Sequence, residues 1–345
     1  MLLQSPRYYF NGMPSTITLH DISSQYLPAP ISYAVLRPGG EATLPLCILL
    51  LGAGGTRDSL FDLQQLFDNC WAEGSVPPMI VVTPTPGLDY YLEDPAGPIR
   101  WDSFLASDFL PHLRSAYNST DAVIAGISGG GYGALKLAFA RPHLFAGVAA
   151  MQPMLEPGFH ESDVGPRNRL HHTAGGPPQL IGPARDPFLW ESNNPANRAR
   201  ANAQQIRDAG LAIYIDAADR DFLNAHDGAE FLHRVLWDLD LSHGYHLVRD
   251  ADHGGPTMLP RLRAMFAWFG TLWHPPLPDA VSEQSAAAWL ESGLQGKPPA
   301  RATTTKAFLD FLRTRFDPIR AAAANVDPTT NRRYGLVAPG SAKTP

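Results

Sequence analysis

The run Ala122-Val-Ile-Ala-Gly126-Ile127-Ser128-Gly129-Gly130-Gly131-Tyr-Gly-Ala134-Leu-Lys-Leu-Ala-Phe139 decides the fold. Its opening residues are apolar without interruption, as in a strand buried on both faces of a parallel sheet. From Gly130 to Phe139 the residues suit a helix, closed near Pro142. Between the two lies Gly126-x-Ser128-x-Gly130. A strand that turns straight into a helix bends so sharply that side chains two positions either side of the serine would collide, which calls for glycine at both places. Ser128 would then stand in strained backbone at the tip of the sheet, beside the positive end of the following helix. Without that setting the serine would be no more than a helix cap in a glycine-rich turn.

Outward from this run, strand and helix alternate on both sides. Residues 1–30, weakly alternating at Ser15-Thr-Ile-Thr-Leu-His20, suit antiparallel edge strands, and Ile31–Leu36 suits another short strand. Pro45-Leu-Cys-Ile-Leu-Leu-Leu51 is apolar on both faces and stops at Gly52-Ala53-Gly54-Gly55. Helical spacing follows over Asp58–Cys70, a buried strand over Met79–Thr83, and helical spacing again over Trp101–Tyr117. Beyond the central run come strands at Phe145–Met151, Leu211–Ile215 and Tyr245–Arg249. Helices are expected around Ala201–Ala209, Gly228–Leu239 and Leu259–Leu272. This alternation predicts an α/β fold, a mostly parallel sheet with helices on both faces. Residues 153–200, rich in Pro, Gly, His and Asn and poor in periodicity, read as an insertion loop that could cap a site. The catalytic domain is expected over residues 1–274. Residues 275–345 are expected to form a C-terminal helical extension and polar tail. An apolar stripe at Phe308, Leu312, Phe316 and Ile319 within it would offer a homo-oligomer its contact.

Composition narrows the partners. A net charge of −6 leaves no basic footprint for nucleic acid. Cys47 and Cys70 are the only cysteines, too few for a disulfide framework. The start Met1-Leu-Leu-Gln-Ser-Pro-Arg7 lacks a basic segment followed by a sustained apolar one, and the apolar stretch near Leu44–Leu51 is too short to cross a bilayer. The expectation is a cytoplasmic protein with no membrane partner.

A nucleophilic serine needs a base, and the base needs an orienting acid. In a parallel sheet with a serine at such an elbow they follow it in the order acid, then histidine. Asp216, Asp219 and Asp221 lie at the exit of the Leu211–Ile215 strand, and any one carboxylate would serve electrostatically. His253 follows the next strand, ahead of Gly254 and Gly255, on a turn before a helix; position selects it from the chain's 12 histidines. An oxyanion needs two backbone N–H donors, here Gly129, just after the serine, and Ala53 in the glycine turn after the first buried strand, with Gly54 as the alternative. A rival pattern shares these residues. Gly129-x-Gly131-x-x-Ala134 satisfies a relaxed dinucleotide-binding fingerprint, but the strand after it ends at Gln152 with no acid for a ribose. His171-His172 lacks the spaced partners of a metal site. No cofactor and no metal are expected.

Several segments together resemble the esterase D family of α/β hydrolases, which holds S-formylglutathione hydrolases, feruloyl and acetyl-xylan esterases and mycolyltransferases. They are Ala125–Ala138 with Arg141-Pro-His-Leu-Phe-Ala-Gly-Val-Ala-Ala150, Arg100-Trp-Asp-Ser-Phe104 with Phe109-Leu-Pro111, Ile213-Tyr-Ile-Asp-Ala-Ala-Asp-Arg-Asp221, and Asp252-His253. The resemblance spans roughly residues 31–274. It implies the α/β-hydrolase fold and a serine carboxyl-ester hydrolase acting on small-molecule esters through an acyl-enzyme. It also implies a triad of Ser128, Asp221 and His253. Leu51 stands where the family usually has a histidine, Gly129 where a methionine is common, and Ala218 where a glycine is usual. An acyltransferase, a non-catalytic binding protein on the same fold and a dinucleotide-dependent oxidoreductase are the other readings.

Overall fold

The apolar runs form the middle of one eight-stranded sheet in the computed structural model, which describes residues 14–40, 43–87, 91–119, 121–168, 187–273 and 287–288. Two strands, β1 (Thr16–Ile22) and β2 (Ile31–Arg37), form an antiparallel pair at one edge. Next to them lie β4 (Ile80–Pro84), β3 (Leu46–Leu50), β5 (Ala122–Ile127), β6 (Gly147–Met151), β7 (Ala212–Ala218) and β8 (Gly244–Val248), in that order and parallel throughout. Every residue of β3, β4, β5 and β6 is buried, so their continuous apolarity follows from cover on both faces. At the other edge β8 is half exposed.

Helices α1 (Ser59–Ala72), α2 (Leu110–Tyr117), α3 (Gly129–Ala140), α4 (Pro187–Asn193), α5 (Pro195–Ala201), α6 (Ala203–Ala209), α7 (Ala225–Asp238) and α8 (Met258–Trp273) supply the cover. On one face α1 and α8 pack together, with the Phe67 and Phe266 rings 4.7 Å apart. On the other, α3 lies centrally with the aromatic residues Trp101, Phe104 and Phe109 beside it. Truncating one of these buried rings to alanine would cost about 3–5 kcal/mol. This is the α/β-hydrolase arrangement. Cys47 and Cys70 are buried and unbridged, and burial pushes both thiols up. Among the described residues no helix is long and apolar enough to cross a membrane.

Three stretches depart in detail from their sequence reading. Trp101–Tyr117 is helical throughout, but Phe104–Phe109 forms a π-helical segment ahead of α2. The wider turn keeps Phe104, Leu105, Phe109, Leu110 and Leu113 all fully buried. Part of the segment read as an aperiodic loop is helical: Asn194 caps α5 by accepting from Ala196 N–H and Asn197 N–H, with Pro195 in the first turn. Asn and Pro at the start of such a short helix hide its periodicity. The expected Ala201–Ala209 helix is broken at Asn202, which separates α5 from α6.

The chain divides into two units, residues 1–275 and 276–345, and the sheet belongs to the first. The stripe Phe308, Leu312, Phe316 and Ile319 and the pair His171-His172 lie outside the described residues. Loops leave β3, β5, β6, β7 and β8 at one end of the sheet, where open parallel sheets gather their ligands.

Candidate active site

Ser128 sits between β5 and α3 with φ 57° and ψ −121°, a conformation that costs a non-glycine residue about 1–3 kcal/mol. Its surroundings hold it there. Ser128 N–H donates to the Met151 carbonyl at 3.0 Å, and its own carbonyl accepts from Tyr132 and Met154 N–H, both at 3.1 Å. The flanking glycines answer to packing. A Cβ on Gly126 would lie 2.1 Å from the Gly130 carbonyl oxygen, and one on Gly130 would lie 2.0 Å from that of Leu50. Gly131, shared with the dinucleotide pattern, packs against Pro153.

The loops after β7 and β8 complete a hydrogen-bonded line. His253 Nε2 lies 2.9 Å from Ser128 Oγ, and His253 Nδ1 lies 2.7 Å from Asp221 Oδ2. A carboxylate only accepts, so Nδ1 carries the proton and Nε2 is left to accept from the serine hydroxyl. Asp221 is buried, with its second oxygen accepting from Leu223 N–H at 2.8 Å. Asp216 and Asp219 have other partners. Asp216, buried within β7, is held by Arg261, and burial raises its carboxyl more than that guanidinium lowers it. Asp219 faces Arg249 and the Ala251 N–H at 3.4 Å.

The glycine turn after β3 closes against the serine. A Cβ on Gly52 would lie 2.8 Å from Ser128 Cβ, so only glycine lets the backbone come this near. The Tyr91 hydroxyl accepts from Leu51 N–H at 3.0 Å and donates to the Leu51 carbonyl at 2.9 Å, gripping both ends of that residue. Gly133 of α3 leaves the room for the Tyr91 ring. Gly52, Ala53, Tyr91 and Gly129 line one recess of about 10 Å³, space for a single water-sized atom. Gly129 is the first residue of α3, so its N–H has no acceptor within the helix.

Several residues that support this line have no motif in the sequence. Gln152 closes β6 with φ 40°, its side-chain N–H₂ donating to the His253 carbonyl and its oxygen accepting from Arg261 Nη1 at 2.7 Å. Arg261 also donates from Nε to Asp216 at 2.8 Å and from Nη1 to the Asp252 carbonyl at 3.2 Å. Asp252 joins the two loops by accepting from Phe222 N–H at 2.9 Å and His253 N–H at 2.7 Å, and these two donors hold its carboxyl below the usual range. Tyr91, Gln152 and Arg261 carry no sequence signal for these roles, and Asp252 enters the sequence reading only in the pair Asp252-His253. Asp252 directly precedes His253, and that adjacency is the one local signal among them.

A cleft of about 430 Å³ opens beside Ser128 and His253. Its walls include Leu51, Leu63, Ile127, Leu223, Met258 and Leu262.

A family model described as putative esterase matches residues 24–269. No curated protein matches the chain. Among solved structures, a ferulic acid esterase is 20% identical with a TM-score of 0.59, covering 75% of this chain and 98% of its own. An S-formylglutathione hydrolase from Agrobacterium tumefaciens is 15% identical with a TM-score of 0.57, over 79% of this chain and 97% of its own. The fluorophosphonate-binding serine hydrolase F of Staphylococcus aureus is 15% identical with a TM-score of 0.59, over 74% and 98%. At such identities the likeness concerns the fold.

Proposed function

The chain belongs to the putative esterase family and is a carboxylic ester hydrolase, and from that premise we propose that it cleaves small-molecule esters through an acyl-enzyme on Ser128. The hydrogen-bonded line from Asp221 through His253 to Ser128 carries this reading. His253 Nε2 takes the hydroxyl proton as Ser128 Oγ bonds to the ester carbonyl carbon. The carbonyl oxygen becomes an oxyanion, which the backbone N–H groups of Gly129 and Ala53 stabilise. Collapse of the tetrahedral intermediate breaks the ester C–O bond, and the alcohol leaves with the proton from His253. Water then gives up a proton to the same nitrogen, attacks the acyl group and regenerates the serine. Asp221 holds the imidazole in the working tautomer and stabilises its charged form.

A fluorophosphonate probe, together with turnover of a p-nitrophenyl ester, tests the assignment. The wild-type chain should label and turn over. Ser128→Ala should do neither, with turnover down by roughly four to six orders of magnitude and the fold intact. A folded Ser128→Ala protein that still hydrolyses the ester would falsify it.

A further inference from the structure

The cleft beside Ser128 has a charge character as well as a shape. Six of its wall residues, Leu51, Leu63, Ile127, Leu223, Met258 and Leu262, are aliphatic or thioether side chains drawn from β5, α1, α8 and two loops, and Leu51, Ile127 and Leu262 among them are buried. Next to the site Phe222 stands 66% exposed, its ring edge-on to the His253 imidazole at 5.8 Å, which lengthens the apolar surface on that side. Asp62 of α1 is the one carboxylate in the wall, and no Lys or Arg stands among the described lining residues. Arg261, whose guanidinium donates to the lining residue Gln152, is buried and neutralised by Asp216. Small-molecule clefts of this volume are mostly apolar, with a few polar groups that decide which ligand is accepted. Here the polar lining is Ser59, Asp62, Ser128, Gln152 and His253, and Asp62 is the carboxylate among them. An anionic substituent entering the cleft would give up water without gaining a cation and would face Asp62, whereas an ammonium would meet an opposite charge.

We propose that this cleft takes an uncharged or cationic, largely apolar group of the ester and turns away anionic ones, with Asp62 as the residue that sets the order. The proposal rests on the esterase reading above and names the substrate class of that same site. The group admitted is an acyl chain or an alcohol with an apolar body, ending in nothing charged or in an ammonium. The carboxylate-bearing acyl or alcohol moieties are the class excluded.

The test is kcat/KM for two matched sets of esters, with charge placed on the acyl part in one and on the alcohol part in the other. For the acyl set the substrates are p-nitrophenyl butyrate, its 4-trimethylammonio derivative and p-nitrophenyl hemisuccinate. For the alcohol set they are 3,3-dimethylbutyl acetate, acetylcholine and the acetate ester of 3-hydroxypropanoate. In at least one set the wild-type chain should favour the neutral and cationic members over the anionic one by about three- to fivefold, the effect of one solvent-exposed charge at the cleft wall. Asp62→Asn should shrink the cation-to-anion ratio in that set, and Asp62→Lys should reverse it, with both proteins still labelled by the fluorophosphonate. Turnover of neutral esters with no charge order in either set, or with an order that Asp62→Lys leaves within twofold, overturns the proposal alone. Absence of turnover and of labelling in the folded wild-type chain overturns the esterase reading and this proposal together.

Discussion

Asp216, Asp219 and Asp221 follow one another out of β7, and each meets a different partner. Asp216 neutralises the buried Arg261, Asp219 faces the Arg249–Ala251 turn, and Asp221 hydrogen-bonds His253. Asparagine at position 221 would preserve the shape yet present a donor and favour the wrong imidazole tautomer. In the serine-protease precedent that change cost about ten-thousand-fold in turnover. Asp221→Asn should therefore collapse kcat with a melting temperature close to wild type, while Asp219→Asn keeps most of its turnover. Steady-state kinetics beside a thermal melt checks both, and the opposite pairing would make Asp219 the orienting acid. Ser128 and His253 could be picked out in the sequence because one sits in a local motif and the other at a fixed place after a strand. The acid was harder, since three carboxylates share one strand exit and local chemistry does not tell them apart; the family resemblance pointed to Asp221. Tyr91 had no such signal: its hydroxyl works on Leu51, 40 residues earlier in the chain.

Between β6 and α8 runs a connection of the same kind, and it carries its own prediction. Arg261 is a buried cation on a helix face otherwise made of Leu262, Met265, Phe266 and Phe269. Its partners are Asp216 of β7, the Asp252 carbonyl and Gln152, 109 residues away. An arginine can only donate, so the Gln152 oxygen faces it and the amide N–H₂ is left for the His253 carbonyl. Gln152→Glu keeps the acceptor for Arg261 and removes the donor for His253. Turnover should fall by up to roughly a hundredfold, the scale of a misplaced catalytic group, with kcat changing more than KM and the melting temperature nearly unchanged. Arg261→Met should instead strand the Asp216 carboxylate in the core and lower stability by about 3–5 kcal/mol. If Gln152→Glu retains full kcat, the amide does not help to hold the histidine loop. At this scale the sequence was most legible where burial is two-sided: β3 through β6 read directly as apolar runs. It was least legible where packing alone decides the backbone, as in the π-helical segment before α2 and the break at Asn202.

Across the whole domain, buried charge ties the insertion after β6 to the helix that begins at the nucleophile. Lys136 of α3, fully buried, lies 2.7 Å from Asp102, whose other oxygen is 2.9 Å from Arg198 of α5. Burial outweighs the Asp102 pairing and pulls the lysine down to about 8. The insertion also contributes Glu156, 7% exposed, with an oxygen that has no hydrogen-bond partner among the described residues. Burial, with a smaller push from Glu161, raises its carboxyl from 4.5 to about 7. The folded domain thus holds the Glu156 proton more tightly than the unfolded chain does. That preference stabilises the fold fully below the ordinary carboxylate range and is lost as pH rises through about 7. Above that value the protein carries a buried carboxylate with no cation beside it, at a cost on the order of 3 kcal/mol. Glu156→Gln mimics the protonated side chain without its titration. The variant should melt several degrees higher than wild type at about pH 8, and the difference should vanish near pH 4.5. Thermal melts of both proteins across that interval measure it. An equal shift at both ends would mean that the glutamine acts through packing, and a variant less stable at pH 8 would show that Glu156 has a partner in its charged form.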